Sequence, residues 1–213
     1  MKTKTILITA LAFVSTVLKS NAVLLDFDSV TAGPGVDASA YLSSFGISLS
    51  NVSHPGTVEI FSDTNFYGST VVSAPSPHNF LLQQVGGAPN GIFYTMNFST
   101  PLTNFSFTRI AITVPSQVAQ WTATAYAGVS PVGSVGENFF GGTEASQPYA
   151  LSGAGITSVT ITANGFNSAA IASAPLDNFN LTQVPEPSSA LFLLSGGLLM
   201  LRRRSLRTTD RNA

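Results

Sequence analysis

The sequence predicts an all-β domain, an antiparallel β-sandwich or jelly roll, and three observations predict it. Apolar residues recur with period two, Gly, Pro, Asn and Ser clusters interrupt the runs at short intervals, and helical periodicity is nearly absent. Leu25 and Phe27 alternate with Asp26 and Asp28, and Val58 and Ile60 bracket Glu59. Trp121, Ala123, Ala125 and Ala127 share one parity against Thr122, Thr124 and Tyr126, while Val159, Ile161 and Ala163 alternate with Thr160 and Thr162. Turn chemistry falls at Gly33-Pro34-Gly35, Ala74-Pro75-Ser76-Pro77, Gly86 to Gly91, Ser130-Pro131, Gly141-Gly142 and Asn164-Gly165.

Three elements carry more specific expectations. Phe105 and Phe107 occupy one parity and Ile110, Ile112 and Val114 the other, so a β-bulge is expected at Thr108-Arg109. The alternative is a strand buried on both faces, which Arg109 opposes. A short helix is expected over Asp37 to Leu42, with Asp37 as N-cap and Gly46 as terminator. The last strand runs from Leu176 to Leu181 and presents Asp177 on the same parity as Phe179 and Leu181.

The two ends of the chain read as addresses. Residues 1–22 have Lys2 and Lys4, an apolar stretch from Ile6 to Leu18 and the small-residue ending Ser20-Asn21-Ala22, the pattern of a secretory signal peptide cleaved after Ala22. At the other end, Val184-Pro185-Glu186-Pro187 is followed by the uncharged run Ala190 to Leu201 and then by Arg202, Arg203, Arg204 and Arg207. The two prolines fix φ and hold Glu186 on an extended segment. Twelve helical residues reach about 18 Å, short of a hydrocarbon core of about 30 Å, which suits a transient anchor. The arginines place the preceding chain on the outer side of the membrane. This tail resembles the PEP-CTERM sorting signal of Gram-negative bacteria. The resemblance implies export through the inner membrane, a short C-terminal transmembrane helix, processing by signal peptidase and an exosortase, and a cell-surface or extracellular destination. An unprocessed single-pass anchor is the alternative. The expected organisation is a signal peptide (1–22), a β-sandwich domain (23–183), a sorting and anchor segment (184–207) and a polar tail (208–213). The opening Leu25-Asp26-Phe27-Asp28 and the closing Leu176 to Leu181 also resemble the ends of extracellular β-sandwiches that carry this tail.

Between Val23 and Val184 the acids are Asp26, Asp28, Asp37, Glu59, Asp63, Glu137, Glu144 and Asp177, and the only Lys or Arg is Arg109, giving a formal charge of 1 − 8 = −7. Such a domain offers no electrostatic footprint for nucleic acid or anionic lipid. The chain has no cysteine, which removes disulfides and thiolate metal sites.

No catalytic constellation is apparent. No G-x-S-x-G elbow is present, and His54 and His78 each stand beside a proline in turn-like sequence. Glu59, Glu137 and Glu144 are the acids from which a glycoside hydrolase pair would be drawn, and nothing around them favours one. The best candidate site is a cation site. Asp26 and Asp28, two apart on a strand, project from one face, and an inward Asp177 is costly unless paired or bound to metal. First and last strands often lie together in jelly-roll carbohydrate-binding modules, where acids hold a structural calcium. Calcium takes hard oxygen ligands of this kind, while Asp177 capping a turn is the alternative. For a ligand, Tyr126 is the best exposed aromatic among Tyr67, Tyr94, Trp121, Tyr126 and Tyr149, since Trp121 heads the core parity.

The sequence therefore points to an exported, non-enzymatic surface or matrix protein, associated through the family resemblance with exopolysaccharide or biofilm. A carbohydrate-binding module with structural calcium is the alternative, and a glycoside hydrolase the third reading. Intact-mass analysis of protein recovered from the host surface or medium is expected to show a chain running from Val23 to the neighbourhood of Pro187. A mass retaining Ala190 to Ala213 overturns the sorting reading.

Overall fold

The computed structural model describes residues 21–32, 35–53, 56–63, 72–73, 79–85, 92–112, 120–138, 145–164, 171–172 and 174–184. The signal peptide, the tail from Pro185 onward with its sorting motif and arginines, Tyr67, Glu144 and both histidines lie outside these residues. The strands are β1 (Ala22–Leu25), β2 (Val36–Asp37), β3 (Ile47–Ser50), β4 (Thr57–Ser62), β5 (Val72–Ser73), β6 (Asn79–Val85), β7 (Ile92–Arg109), β8 (Ala111–Ile112), β9 (Gln120–Ala127), β10 (Ser130–Glu137), β11 (Gln147–Asn164), β12 (Ile171–Ala172) and β13 (Leu176–Gln183), with one short helix, α1 (Ser39–Ser43). Every pairing among them is antiparallel. Residues Ala22–Val184 form one compact unit. No helix among the described residues is long and apolar enough to cross a membrane.

Two strands of 18 residues, β7 and β11, dominate the sheet and pair with each other along most of their length. The N-terminal half of β7 pairs with β3, and the C-terminal half of β11 with β9, which pairs with β10. The C-terminal half of β7 pairs instead with β13, beside which lie β1 and, through β6, β4 and β2. The sheet must fold back on itself between these halves. Trp121 is opposite Ala163, and Ala163 is opposite Ile92. Yet the Trp121 ring lies 5.9 Å from Phe107, fifteen positions beyond Ile92 on the same strand. A straight strand would carry Phe107 about 50 Å away at ~3.3 Å per residue.

The fold-over has a sequence cause. The β7–β11 register shifts between Ser152 and Ile156 and again between Ile156 and Ser158. The shift contains Gly153 and Gly155, the latter at φ 75°, and lies opposite the segment containing Pro101. Proline donates no ladder hydrogen bond and glycine tolerates the sharp bend, so the two strands turn together here. Inward residues of the two layers then meet. Tyr94, Met96, Trp121, Ala123, Ala125, Val159 and Ile161 from one and Leu25, Phe105, Phe107, Leu151, Phe179 and Leu181 from the other are all buried. Phe98 and Phe105, before and after the bend on one strand, have ring centroids 5.5 Å apart.

The expected bulge at Thr108-Arg109 is corrected. Pairing of β7 with β11 runs unbroken from Asn104 to Arg109, and the bulge lies on the neighbouring strand, β13, between Asp177 and Asn180. Arg109 stays on the parity of Phe105 and Phe107 and is fully buried; the phase changes only where β7 ends. Glu137 at the end of β10 is what makes this tolerable. It accepts from Arg109 Nε at 2.7 Å, from Arg109 Nη2 at 2.7 Å and from Trp121 Nε1 at 2.8 Å. Arg109 Nη1 donates to the carbonyls of Ile110 and Ala145 at 3.1 and 2.6 Å. The N-cap of helix α1 is Ala38 and not Asp37, one residue later than expected. Asp37 lies in β2, and its Oδ1 accepts from the Ser39 N–H at 2.7 Å. Gly46, at φ 73°, follows the helix and donates to the Ser43 carbonyl at 3.0 Å.

Burial pushes the Glu137 carboxyl up, but hydrogen bonds from Arg109, Tyr149 and Trp121 and the Arg109 charge outweigh it and hold the carboxyl below its ordinary value of 4.5. A depressed carboxylate contributes stability above its unfolded-state pKa and loses it as pH falls through the folded-state value. Glu137→Gln is expected to cost roughly 3 kcal/mol or more in chemical denaturation at neutral pH, because it leaves a buried guanidinium without a counter-charge. It is also expected to remove part of the wild-type loss of stability below the ordinary glutamate range.

Candidate functional site

Two features of the described residues stand out from the apolar core. The first is the acid cluster at the junction of β1 and β13. The sequence places Asp26 and Asp28 on one strand face, but β1 ends at Leu25 and the chain turns at Phe27, which adopts φ 59°. A bulky residue seldom takes this conformation. The Asp28 N–H donates to Asp26 Oδ1 at 3.3 Å, and Asn79 Nδ2 donates to the carbonyls of Phe27 and Val30 at 3.0 and 2.7 Å. The turn returns the Phe27 ring to the core, 5.2 Å from Phe179, and leaves the two aspartates flanking it. Alternation alone cannot reveal such a turn.

Asp177 lies within β13 and is fully buried. Its Oδ1 accepts from the Asn178 N–H at 2.6 Å, and Oδ2 has no hydrogen-bond partner. Asn178, at φ 51°, is a second left-handed residue beside the same cluster. Burial pushes Asp177 up to about 7; the Asn178 N–H opposes this, and the charges of Asp28 and Asp26 add to it. Asp177 therefore feels both aspartates of the turn. Among the described residues, however, no group of three or more His, Cys, Asp or Glu side chains is arranged to hold a metal ion.

The second feature is the outward face of the β3–β7–β11–β9–β10 sheet, on which Tyr126 lies half-buried. Register aligns Ser48, Asn97, Ser158, Tyr126 and Pro131 in one row across the strands. The next row is Ser50, Thr95, Thr160, Thr124 and Ser134, and a third contains Phe93, Thr162, Thr122 and Gly136. None of these residues is Asp, Glu, His, Lys or Arg. Their polar groups orient one another: Thr95 and Thr160 hydroxyls are 3.0 Å apart, Thr124 and Ser134 hydroxyls 3.2 Å apart, and Asn97 Nδ2 donates to Ser50 Oγ at 2.8 Å. Thr95 is itself buried, whereas the Thr160, Thr124 and Ser134 hydroxyls retain capacity for a partner from solvent or ligand.

The first row begins in a cleft of about 300 Å³ lined by Ser43, Gly46, Ile47, Ser48, Asn97, Phe98 and Ser99. Glycine suits position 46 because its φ of 73° is a backbone conformation that other residues rarely adopt. Phe45, immediately before it, is 38% exposed and stacks in a tilted contact 5.1 Å from Tyr41. Ser48, Asn97 and Ser158 are absent from the sequence-level candidates. Their polar parity is visible in the sequence, but the register that lines them up with Tyr126 depends on distant strands. Trp121 and Tyr94 are core residues. Tyr149 packs 5.2 Å from Trp121, and burial together with its hydrogen bond to Glu137 pushes its hydroxyl up to about 12. Of the acids considered for hydrolysis, Glu137 is committed to Arg109, and Glu59 sits opposite Asp37 in the β2–β4 pair and accepts from the Thr57 hydroxyl.

No family model matches the sequence, and no curated protein matches it. Among solved structures, the chain is similar to the K2 cleaved adhesin domain of Lys-gingipain, at 13% identity over 76% of this chain and 98% of that one, with a TM-score of 0.53. The K3 cleaved adhesin domain of Lys-gingipain from Porphyromonas gingivalis W83 matches at 11% identity over 77% of this chain and 99% of that one, with a TM-score of 0.46. TmCBM61 in complex with β-1,4-galactotriose matches at 10% identity over 64% of this chain and 88% of that one, with a TM-score of 0.40. At 13% identity, the likeness to the K2 domain is one of fold.

The Asp177 carboxyl gives a signed expectation. Its folded-state pKa of about 7 lies above the ordinary 3.8, so the folded state binds the extra proton and stability falls as pH rises between them, by an amount on the order of 4 kcal/mol. In chelator, Asp177→Asn is expected to raise the melting temperature at pH 7 and to flatten its decline between pH 4 and 7. An unchanged pH profile would show that Asp177 is not the group responsible.

Proposed function

We propose that this domain is a non-enzymatic, jelly-roll carbohydrate-binding module, part of an exported surface or matrix protein whose tail is sorted by an exosortase. The observation that carries the binding reading is the charge-free hydroxyl and amide face that leads from the Ser48–Asn97 cleft to Tyr126. Neutral sugars offer many hydroxyls and flat apolar ring faces. Oriented Ser, Thr and Asn groups beside an aromatic side chain match both, without the desolvation of charge that an ionic site demands. The export and sorting reading rests on the two chain ends and on a domain without cysteine or lysine. In sedimentation assays with insoluble cellulose, xylan, mannan and chitin, the wild-type domain is expected to bind at least one. Tyr126→Ala is expected to weaken that binding about tenfold, or roughly 1.4 kcal/mol, with an unchanged melting temperature. Failure to bind any of the four, or full binding by the variant, counts against the site.

A structural calcium is the companion reading, favoured by the orphan Oδ2 of buried Asp177 beside Asp26 and Asp28. When bound, the ion would supply the positive charge that lets Asp177 remain ionised at neutral pH, with Asp177 Oδ2 as the ligand this chain offers from β13. Adding calcium to chelated protein at pH 7 is expected to raise the melting temperature of the wild type and to leave Asp177→Asn unmoved. Equal shifts in both proteins would remove the site.

A further inference from the structure

We infer that the cleft and Tyr126 are two ends of one track, and that the track takes an internal stretch of an extended, uncharged polysaccharide rather than a chain end or an anionic polymer. This rests on the carbohydrate reading and goes further by naming the class of ligand and its direction across the sheet. Ser48, Asn97, Ser158 and Tyr126 are register partners on four successive strands, so the track is about 14 Å long at ~4.8 Å per strand. That length exceeds a single sugar ring and calls for several consecutive units.

Three observations fix the class. The residues along the track are Ser, Asn and Tyr, with no cation to pair with uronate, sulfate or phosphate groups, in a segment where Arg109 is the only Lys or Arg and is committed to Glu137. A formal charge of −7 between Val23 and Val184, from eight acids and one base, opposes an anionic polymer further. The cleft at the Ser48 end is lined by side chains of β3 and β7 and by the α1–β3 turn. The row continues beyond Tyr126 to exposed Pro131 on β10, so the chain leaves the track over a neutral residue instead of meeting a cap. The track is also pre-organised. Asn97 is held by Ser50 Oγ and by the Ser48 carbonyl at 3.3 Å, and the Tyr126 carbonyl accepts from Thr157 Oγ1 at 3.2 Å. Little ordering is then left to do on binding.

The test uses size-fractionated fragments of cellulose, xylan, mannan and chitin, with alginate as the anionic comparison, in titrations of the purified domain. Affinity is expected to rise at least tenfold from disaccharide to hexasaccharide of the preferred polymer, to survive reduction of the chain end, and to be absent for alginate. Ser158→Lys, placed mid-track, is expected to lower hexasaccharide affinity at least tenfold, while Val129→Lys at the exposed β9–β10 turn leaves it unchanged. Binding to none of the neutral fragments or their parent polymers sinks the carbohydrate reading itself. Neutral binding that is independent of length, that needs a free chain end, or that tolerates Ser158→Lys sinks the track and leaves that reading standing. Circular dichroism of both variants separates loss of binding from loss of fold.

Discussion

A buried guanidinium closes this fold. Arg109 ends β7 on the core side, where its charge cannot be solvated, and Glu137 at the end of β10 meets it with both carboxylate oxygens. Those two strand ends come together only because β7 and β11 bend back at the Gly153–Gly155 segment. The same carboxylate orients Trp121, and Trp121 packs on Phe107 and Tyr149. One ion pair thus ties the fold-over to the aromatic core. Removing Glu137 leaves a guanidinium charge that the interior cannot accommodate. With the layers fixed in this way, the outer face of β7, β11 and β9 keeps a defined register, and register is what aligns its hydroxyls.

Local alternation made most strands legible. The Trp121 to Ala127 and Val159 to Ala163 patterns are strands whose apolar parity is buried and whose threonine parity faces outward, because a side-chain period of two leaves no other arrangement. The bend was not legible from alternation, since Pro101 and the Gly153–Gly155 shift are far apart in sequence and gain meaning only when paired. Arg109 misled for a related reason. A charge within an apolar strand suggests a change of phase, unless a distant carboxylate is known to meet it. Phe27 hid the turn after β1 because a phenylalanine in a left-handed conformation runs against local preference and is held there by Asn79, fifty-two residues away.

The candidate sites divide along the same line. Tyr126 stood out by parity alone, and the polar partners beside it did not, because they belong to other strands. Asp177 stood out as an acid on an apolar parity, and the structure gives that oddity a physical content: a buried carboxylate with one oxygen bonded and one without a hydrogen-bond partner. Two left-handed, non-glycine residues, Phe27 and Asn178, flank it. Left-handed backbone and a buried carboxylate in one place cost stability. The hydroxyl face carries no such cost, which accords with a surface that awaits a neutral partner.

The most direct test of this account is where a neutral polysaccharide fragment perturbs the domain. Two-dimensional NMR titration with a fragment of the preferred polymer is predicted to move the Asn97 side-chain amide, the Thr124 and Thr160 methyls and the Tyr126 ring resonances together, leaving the Asp26–Asp177 cluster unmoved. Perturbations confined to the Asp26–Asp177 cluster or to the Gly128–Val129 turn, with the Asn97-to-Tyr126 row silent, would contradict it.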